Sequence, residues 1–148
     1  MPRAKSFWVY PDPQNPYWKL RFHLYPSRKK LQAVWEKNTG KKDTQIDGYF
    51  QSCKVTKYHK DGTVEPIGEF GELSVAHDTL TAEVVVHECG HAAHEYCRRR
   101  RKNRFHRPKT TTGSVAADEE VYCYALGEIA DQILARLFLM GYRFGAIK

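Results

Sequence analysis

Two histidines four residues apart with a glutamate between them, His87-Glu88-Cys89-Gly90-His91, are the residues of this chain whose types and spacing can do chemistry. On an α-helix of about 3.6 residues per turn, positions i and i+4 project from one face, so two imidazole nitrogens can meet one zinc ion at about 2.0–2.1 Å each. Glu88 stands beside that face. There it can take a proton from a metal-activated water without occupying a coordination position, which makes it the candidate catalytic base of an HExxH site. The plainer reading is a pair of histidines on a helix that binds nothing. Leu80 to Val86 lead into the motif, Ala92 and Ala93 follow it and no proline interrupts, so it belongs on a helix among apolar and small neighbours. Cys89 and Gly90 are small enough to admit a second helix.

A hydrolytic zinc site keeps three protein ligands and leaves the next position to water. His94 shares the histidine stripe but lies about 10 Å along the axis from His87, too far to close a tetrahedron. The metzincin extension HExxHxxGxxH fails, because positions 94 and 97 are His94 and Cys97. The other candidates lie on a second helical segment, Asp118 to Leu134, and in the linker before it. Glu120-Val121-Tyr122-Cys123-Tyr124-Ala125-Leu126-Gly127 resembles the pattern of the ImmA/IrrE family, zinc peptidases of the gluzincin type. That resemblance implies Glu120 as the third ligand after His87 and His91. Glu119 competes with it, since it continues the apolar stripe Cys123, Leu126, Ala130, Ile133 and Leu137, and a buried glutamate needs a partner. His106 also competes, at a spacing from His91 similar to that of the third histidine in SprT-like proteases that digest DNA-bound protein. As first-turn acids, Glu119 and Glu120 would equally suit the helix dipole. Tyr122, Tyr124 and His106 are the candidate oxyanion donors.

The 148 residues suit one domain, 1–148, and 41% hydrophobic with 13% aromatic content suits a folded one. No stretch approaches the roughly 20 apolar residues of a membrane span, and Met1 to Lys5 lead into no signal-peptide core, so a cytoplasmic protein without membrane contact is expected. Cys53, Cys89, Cys97 and Cys123 form no CxxC pair, so reduced thiols are expected. Net charge is +7, but residues 98–109 carry eight positive charges and no negative ones, leaving 7 − 8 = −1 elsewhere. Basicity is therefore local. Arg98, Arg99, Arg100, Arg101, Lys102 and Arg104 are candidates for contact with nucleic acid or an acidic substrate; the alternative is a solvated loop.

The elements that must position the motif read as β-β-α-β-β-β followed by two helices. Trp18, Leu20, Phe22 and Leu24 alternate with polar or amphipathic neighbours, as in a strand with one buried face. Pro26-Ser27 starts a helix with Leu31, Val34 and Trp35 on one side, and Asn38-Thr39-Gly40 ends it. Residues 49–59 and 63–67 read as a hairpin about Lys60-Asp61-Gly62, with Pro66 pushing the second strand toward an edge. Glu72 to His77 reads as a short strand before the site helix. The early aromatics are expected in the core.

This order is an α+β domain with a small, mostly antiparallel sheet, and it resembles a minimal zincin core. The resemblance implies that the strand nearest the site, Glu72–His77, pairs with an extended substrate, and that the chain is similar to compact peptidases of phages and mobile elements. The expected activity is zinc-dependent endopeptidase cleavage of an intracellular protein, with Zn²⁺ as cofactor. The alternative is a nucleic-acid-binding or regulatory protein with a structural or vestigial zinc site, or a DNA-associated SprT-like protease.

Overall fold

Alternation along Lys19–Tyr25 buries Leu20, Phe22 and Leu24 and forms a strand, β2, which pairs antiparallel with β1 (Lys5–Val9). The computed structural model describes residues 4–42, 45–102 and 115–144. After β2, Ser27 caps helix α1 (Arg28–Thr39) by accepting from the Lys30 N–H, and Gly40, at φ 71°, ends it in the left-handed region that glycine enters without strain. Four strands follow: β3 (Gly48–Ser52), β4 (Val55–Tyr58), β5 (Val64–Ile67) and β6 (Glu69–Ala76). A 3₁₀ turn, His77–Thr79, leads into α2 (Ala82–Lys102), and α3 (Val115–Leu139) closes the order. Thr81 accepts from the Val84 N–H at 3.1 Å and so caps the start of α2.

The main sheet runs β1-β2-β6-β3, with β2 and β6 parallel and the outer pairs antiparallel; β4 and β5 form a second, two-stranded sheet. This is an α+β fold, as expected. The hairpin about Lys60-Asp61-Gly62 forms, but its first strand is broken at Cys53-Lys54 into β3 and β4. Lys19 N–H donates to the Gly68 carbonyl at 2.9 Å, and a side chain at Gly68 would run into the Tyr17 carbonyl, so the ribbon is pinned against the start of β2 at this point.

Of the expected strand Glu72–His77, Glu72 to Ala76 belong to a longer strand, β6, that is hydrogen-bonded on both sides, by β2 and by β3, and His77 begins the 3₁₀ turn. It offers no edge to a substrate. The expectation placed the substrate on the strand next to the helix in sequence, whereas strand order is set by pairing across the sheet. The edge strands of this sheet are β1 and β3, and β3 is the one packed beside α2.

One sheet face, with Phe7, Val9, Leu20, Phe22, Leu24, Leu73 and Val75, packs on Val85, Cys89, Ala92, Ala93 and Tyr96 of α2 and on Ala125, Ile129, Ile133 and Leu137 of α3. Each large apolar side chain so buried contributes about 1.5–3 kcal/mol. Of the early aromatics, Phe7, Trp18 and Phe22 are in this core as expected, whereas Trp8, Tyr10 and Tyr25 are only partly buried, Trp8 lying against Lys19 and Arg21. The Gln132 amide clamps α3 to the end of β1, donating to the Tyr10 carbonyl at 2.7 Å and accepting from the Tyr10 N–H at 2.9 Å. Of the expected α3 stripe, Ile133 and Leu137 are buried and Leu126 and Ala130 pack against the core, but Cys123 is exposed, and Ala125 and Ile129 are buried beside them. The helix also begins at Val115, so Glu119 and Glu120 fall in its second turn rather than its first.

Candidate metal and catalytic site

On α2 the stripe His87, His91 and His94 faces outward while the side with Val85, Cys89 and Ala92 faces the core. The two Nε2 atoms of His87 and His91 approach to 3.2 Å. Two lone pairs facing each other at that distance repel, so a proton or a cation belongs between them. Two nitrogens bound at about 2.05 Å to one tetrahedral ion stand about 3.3 Å apart. The pair therefore has the spacing of two ligands on a single zinc.

Glu88 sits at the border between the two faces and is 7% exposed. Burial pushes its carboxyl pKa up, opposed by the attraction of His91 and His87 and by a hydrogen bond from the Phe50 backbone N–H. An acid held above its ordinary range is closer to the working pH of a general base. The Phe50 contact also ties the carboxylate to β3. A cleft of about 380 Å³ opens here, lined by Gly48, Tyr49, Phe50 and Ser52 of β3 on one wall and by Glu88, His91, His94 and Glu95 of α2 on the other.

Among the described residues no group of three His, Cys, Asp or Glu side chains comes together to hold a metal. Glu120 and Glu119 are both exposed and neither joins the histidine pair in such a group. Glu120 shares its helical stripe with Tyr124, Gly127 and Asp131, all exposed. Glu119 lies one turn before Tyr122, whose hydroxyl is 3.4 Å from where a Cβ on Gly90 would stand. Gly90 thus admits a side chain of the second helix at the motif itself. His106 and Arg104 lie outside the described residues. Of the candidate oxyanion donors, Tyr122 is the one placed beside the HExxH segment, whereas Tyr124, 72% exposed, lines a separate hollow of about 470 Å³ with Asp12 and Glu128.

The sequence reading did not identify β3 as a wall of the cleft, nor Glu95 as part of it. Glu95 accepts from Arg98 at 2.6 and 2.8 Å and from Arg99 at 2.8 Å, and these guanidinium hydrogen bonds hold its carboxyl below the ordinary range despite burial. An i, i+3 and i, i+4 acid–base pattern was the available signal. It also means that part of the cationic run is neutralised by an acid just outside it. Among the described residues no helix is long and apolar enough to cross a membrane. No family model, curated protein or solved structure matches this chain.

Proposed function

We propose that this chain is a zinc-dependent endopeptidase of the gluzincin type, similar to the ImmA/IrrE family, acting in the cytoplasm on an extended segment of a protein. The observation that carries the reading is the pair of Nε2 atoms 3.2 Å apart beside a buried carboxylate, on the wall of a cleft whose other wall is an edge strand. His87 and His91 would hold the ion. Bound there, zinc would supply Lewis acidity toward a peptide carbonyl and make water easier to deprotonate. Glu88 takes a proton from the water as its oxygen attacks the carbonyl carbon, and returns it to the amine as the C–N bond breaks. The products are a carboxylate and a free amine.

Gly48 and Ser52 line the cleft on the edge of β3, on either side of the Phe50 N–H that holds Glu88, and there a substrate backbone adds as a further strand, as was expected of Glu72–His77. Tyr122 is the preferred oxyanion donor, because its hydroxyl reaches Gly90. The third ligand is sought among Glu119, Glu120 and His106, with Glu119 favoured over Glu120 by sharing the Tyr122 side of α3. The nucleic-acid alternative is weakened by Glu95, which already binds Arg98 and Arg99.

Elemental analysis after zinc reconstitution tests the reading: about one zinc per chain is expected, lost in His91→Ala. Wild-type protein without metal would end it. Alanine substitutions at Glu119, Glu120 and His106 identify the third ligand as the one whose loss lowers zinc affinity.

A further inference from the structure

The main sheet has a second face, turned away from the HExxH helix. Leu20, Phe22 and Leu24 of β2 point into the core shared with α2 and α3, so Lys19, Arg21 and His23, which alternate with them, project from the opposite side. On that side Ser6 of β1 stands directly across from His23, and Glu72 of β6 directly across from Arg21. A serine, a histidine and a glutamate are thereby brought together from three different strands.

The distances give the three an order. Ser6 Oγ is 2.6 Å from His23 Nδ1, and Glu72 Oε1 is 3.4 Å from His23 Nε2. A carboxylate beside Nε2 favours the tautomer with its proton on that nitrogen, which leaves the Nδ1 lone pair facing the serine. The Ser6 hydroxyl therefore donates to Nδ1. A nucleophile, a base in contact with it and a third group that sets the tautomer of the base are the parts of an activated serine. Arg21, although across from Glu72, turns toward β1, where its guanidinium lies over the Trp8 ring at 4.8 Å. Trp8 is two residues from Ser6 on the same face of β1, so a cation stands on the side of the nucleophile. Ser6 is exposed and the His23 side chain is 16% exposed, so a reactant can reach the hydroxyl while the base stays largely covered.

We propose that Ser6, His23 and Glu72 form a second, metal-independent nucleophilic site that takes the acyl group of small uncharged esters. Lys19 and Arg21 are matched in register by Glu69 and Glu72, so this face does not select a charged substrate. Ser6 Oγ bonds to the ester carbonyl carbon as its proton passes to His23 Nδ1, and Arg21 supplies the cation for the oxygen that gains charge. The ester C–O bond then breaks, and the leaving alcohol takes the proton from Nδ1. Water attacks the acyl-serine with Nδ1 again receiving its proton; Ser6 Oγ leaves and recovers that proton, and a carboxylic acid is released. Glu72 touches no reactant and is a positioning residue.

The test uses the full chain with zinc chelated throughout, so that the HExxH site contributes nothing. An alkyl fluorophosphonate, which phosphonylates an activated serine with loss of fluoride, should label Ser6 at least about a hundredfold faster in the folded protein than in protein unfolded in urea, as located by peptide mass mapping. His23→Gln should remove that advantage. Glu72→Gln should slow the labelling about tenfold at an unchanged urea midpoint, and Glu72→Asp should recover part of the loss, which a role in strand pairing alone would not produce. Excess p-nitrophenyl acetate should compete with the label for Ser6. Equal labelling of folded and unfolded protein, or labelling undiminished in the folded His23→Gln or Glu72→Gln protein, would overturn the proposal; labelling that ignores the ester would overturn its substrate class. None of these readouts depends on whether the chain takes up zinc or cleaves peptides.

Discussion

The two faces of α2 are built from the same stretch of sequence and held to different rules. On the inner face Val85, Cys89, Ala92, Ala93 and Tyr96 are buried in the core, and what matters there is volume. On the outer face His87, His91 and His94 are exposed, and what matters is the direction of their nitrogens. Glu88 is on the border and takes something from each: the core raises its pKa, and the cleft gives its carboxylate access to a reactant. A helix that was polar all round would leave that carboxylate solvated at its ordinary pKa, and one that was apolar all round would deny it a substrate.

If this division is right, the outer face should fail in chemistry without failing in stability. Glu88→Gln should lower hydrolysis of an extended peptide about a thousandfold while zinc content, read by elemental analysis, stays at that of the wild type. Loss of metal in that variant would mean that Glu88 is a ligand rather than a base. The inner partner surface should do the reverse. Ile133→Ala, at a fully buried position of α3, should cost about 2–4 kcal/mol in urea unfolding and leave the zinc affinity of the folded protein unchanged.

Thiol labelling sharpens the same contrast between exposed and buried positions. Cys123 is exposed, whereas burial pushes the Cys89 thiol up to about 12, so a maleimide should modify Cys123 at least about tenfold faster, as located by peptide mass mapping. Comparable rates would mean that the inner face opens readily. The smallest effect is expected at Glu95. Its folded-state pKa is depressed, so its contribution is present above the carboxyl pKa of the unfolded chain, about 4.3, and is lost as pH falls through the folded value. Glu95→Gln should therefore cost about 0.5–1 kcal/mol at pH 7 and almost nothing at about pH 3, measured by denaturation at both.

Local patterns were legible. The alternation of Leu20, Phe22 and Leu24, the Ser27 cap, the Gly40 stop and the turn about Lys60-Asp61-Gly62 all rest on interactions within a few residues, and all formed where expected. The core-facing stripe of α3 was legible from Leu126 to Leu137 but not at its start. Cys123 continues that stripe as plausibly as Ala125 and Ile129 do, and in so apolar a helix periodicity does not choose between them. The choice fell to packing on Cys89 and Ala92 and to the Gln132 clamp on Tyr10, contacts that join residues far apart in sequence.

The sequence by itself determined that His87, Glu88 and His91 would share one side of a helix, because a helical repeat is fixed by the chain's own hydrogen bonds. It also determined a charge run at the end of that helix. Only the tertiary structure decided that β6 is enclosed and β3 exposed, that the Phe50 N–H holds Glu88, and that Glu120 points with Tyr124 and Asp131 away from the core. Each of these depends on which strands and helices meet, and that is set by burial summed over the whole sheet rather than by any spacing along the chain.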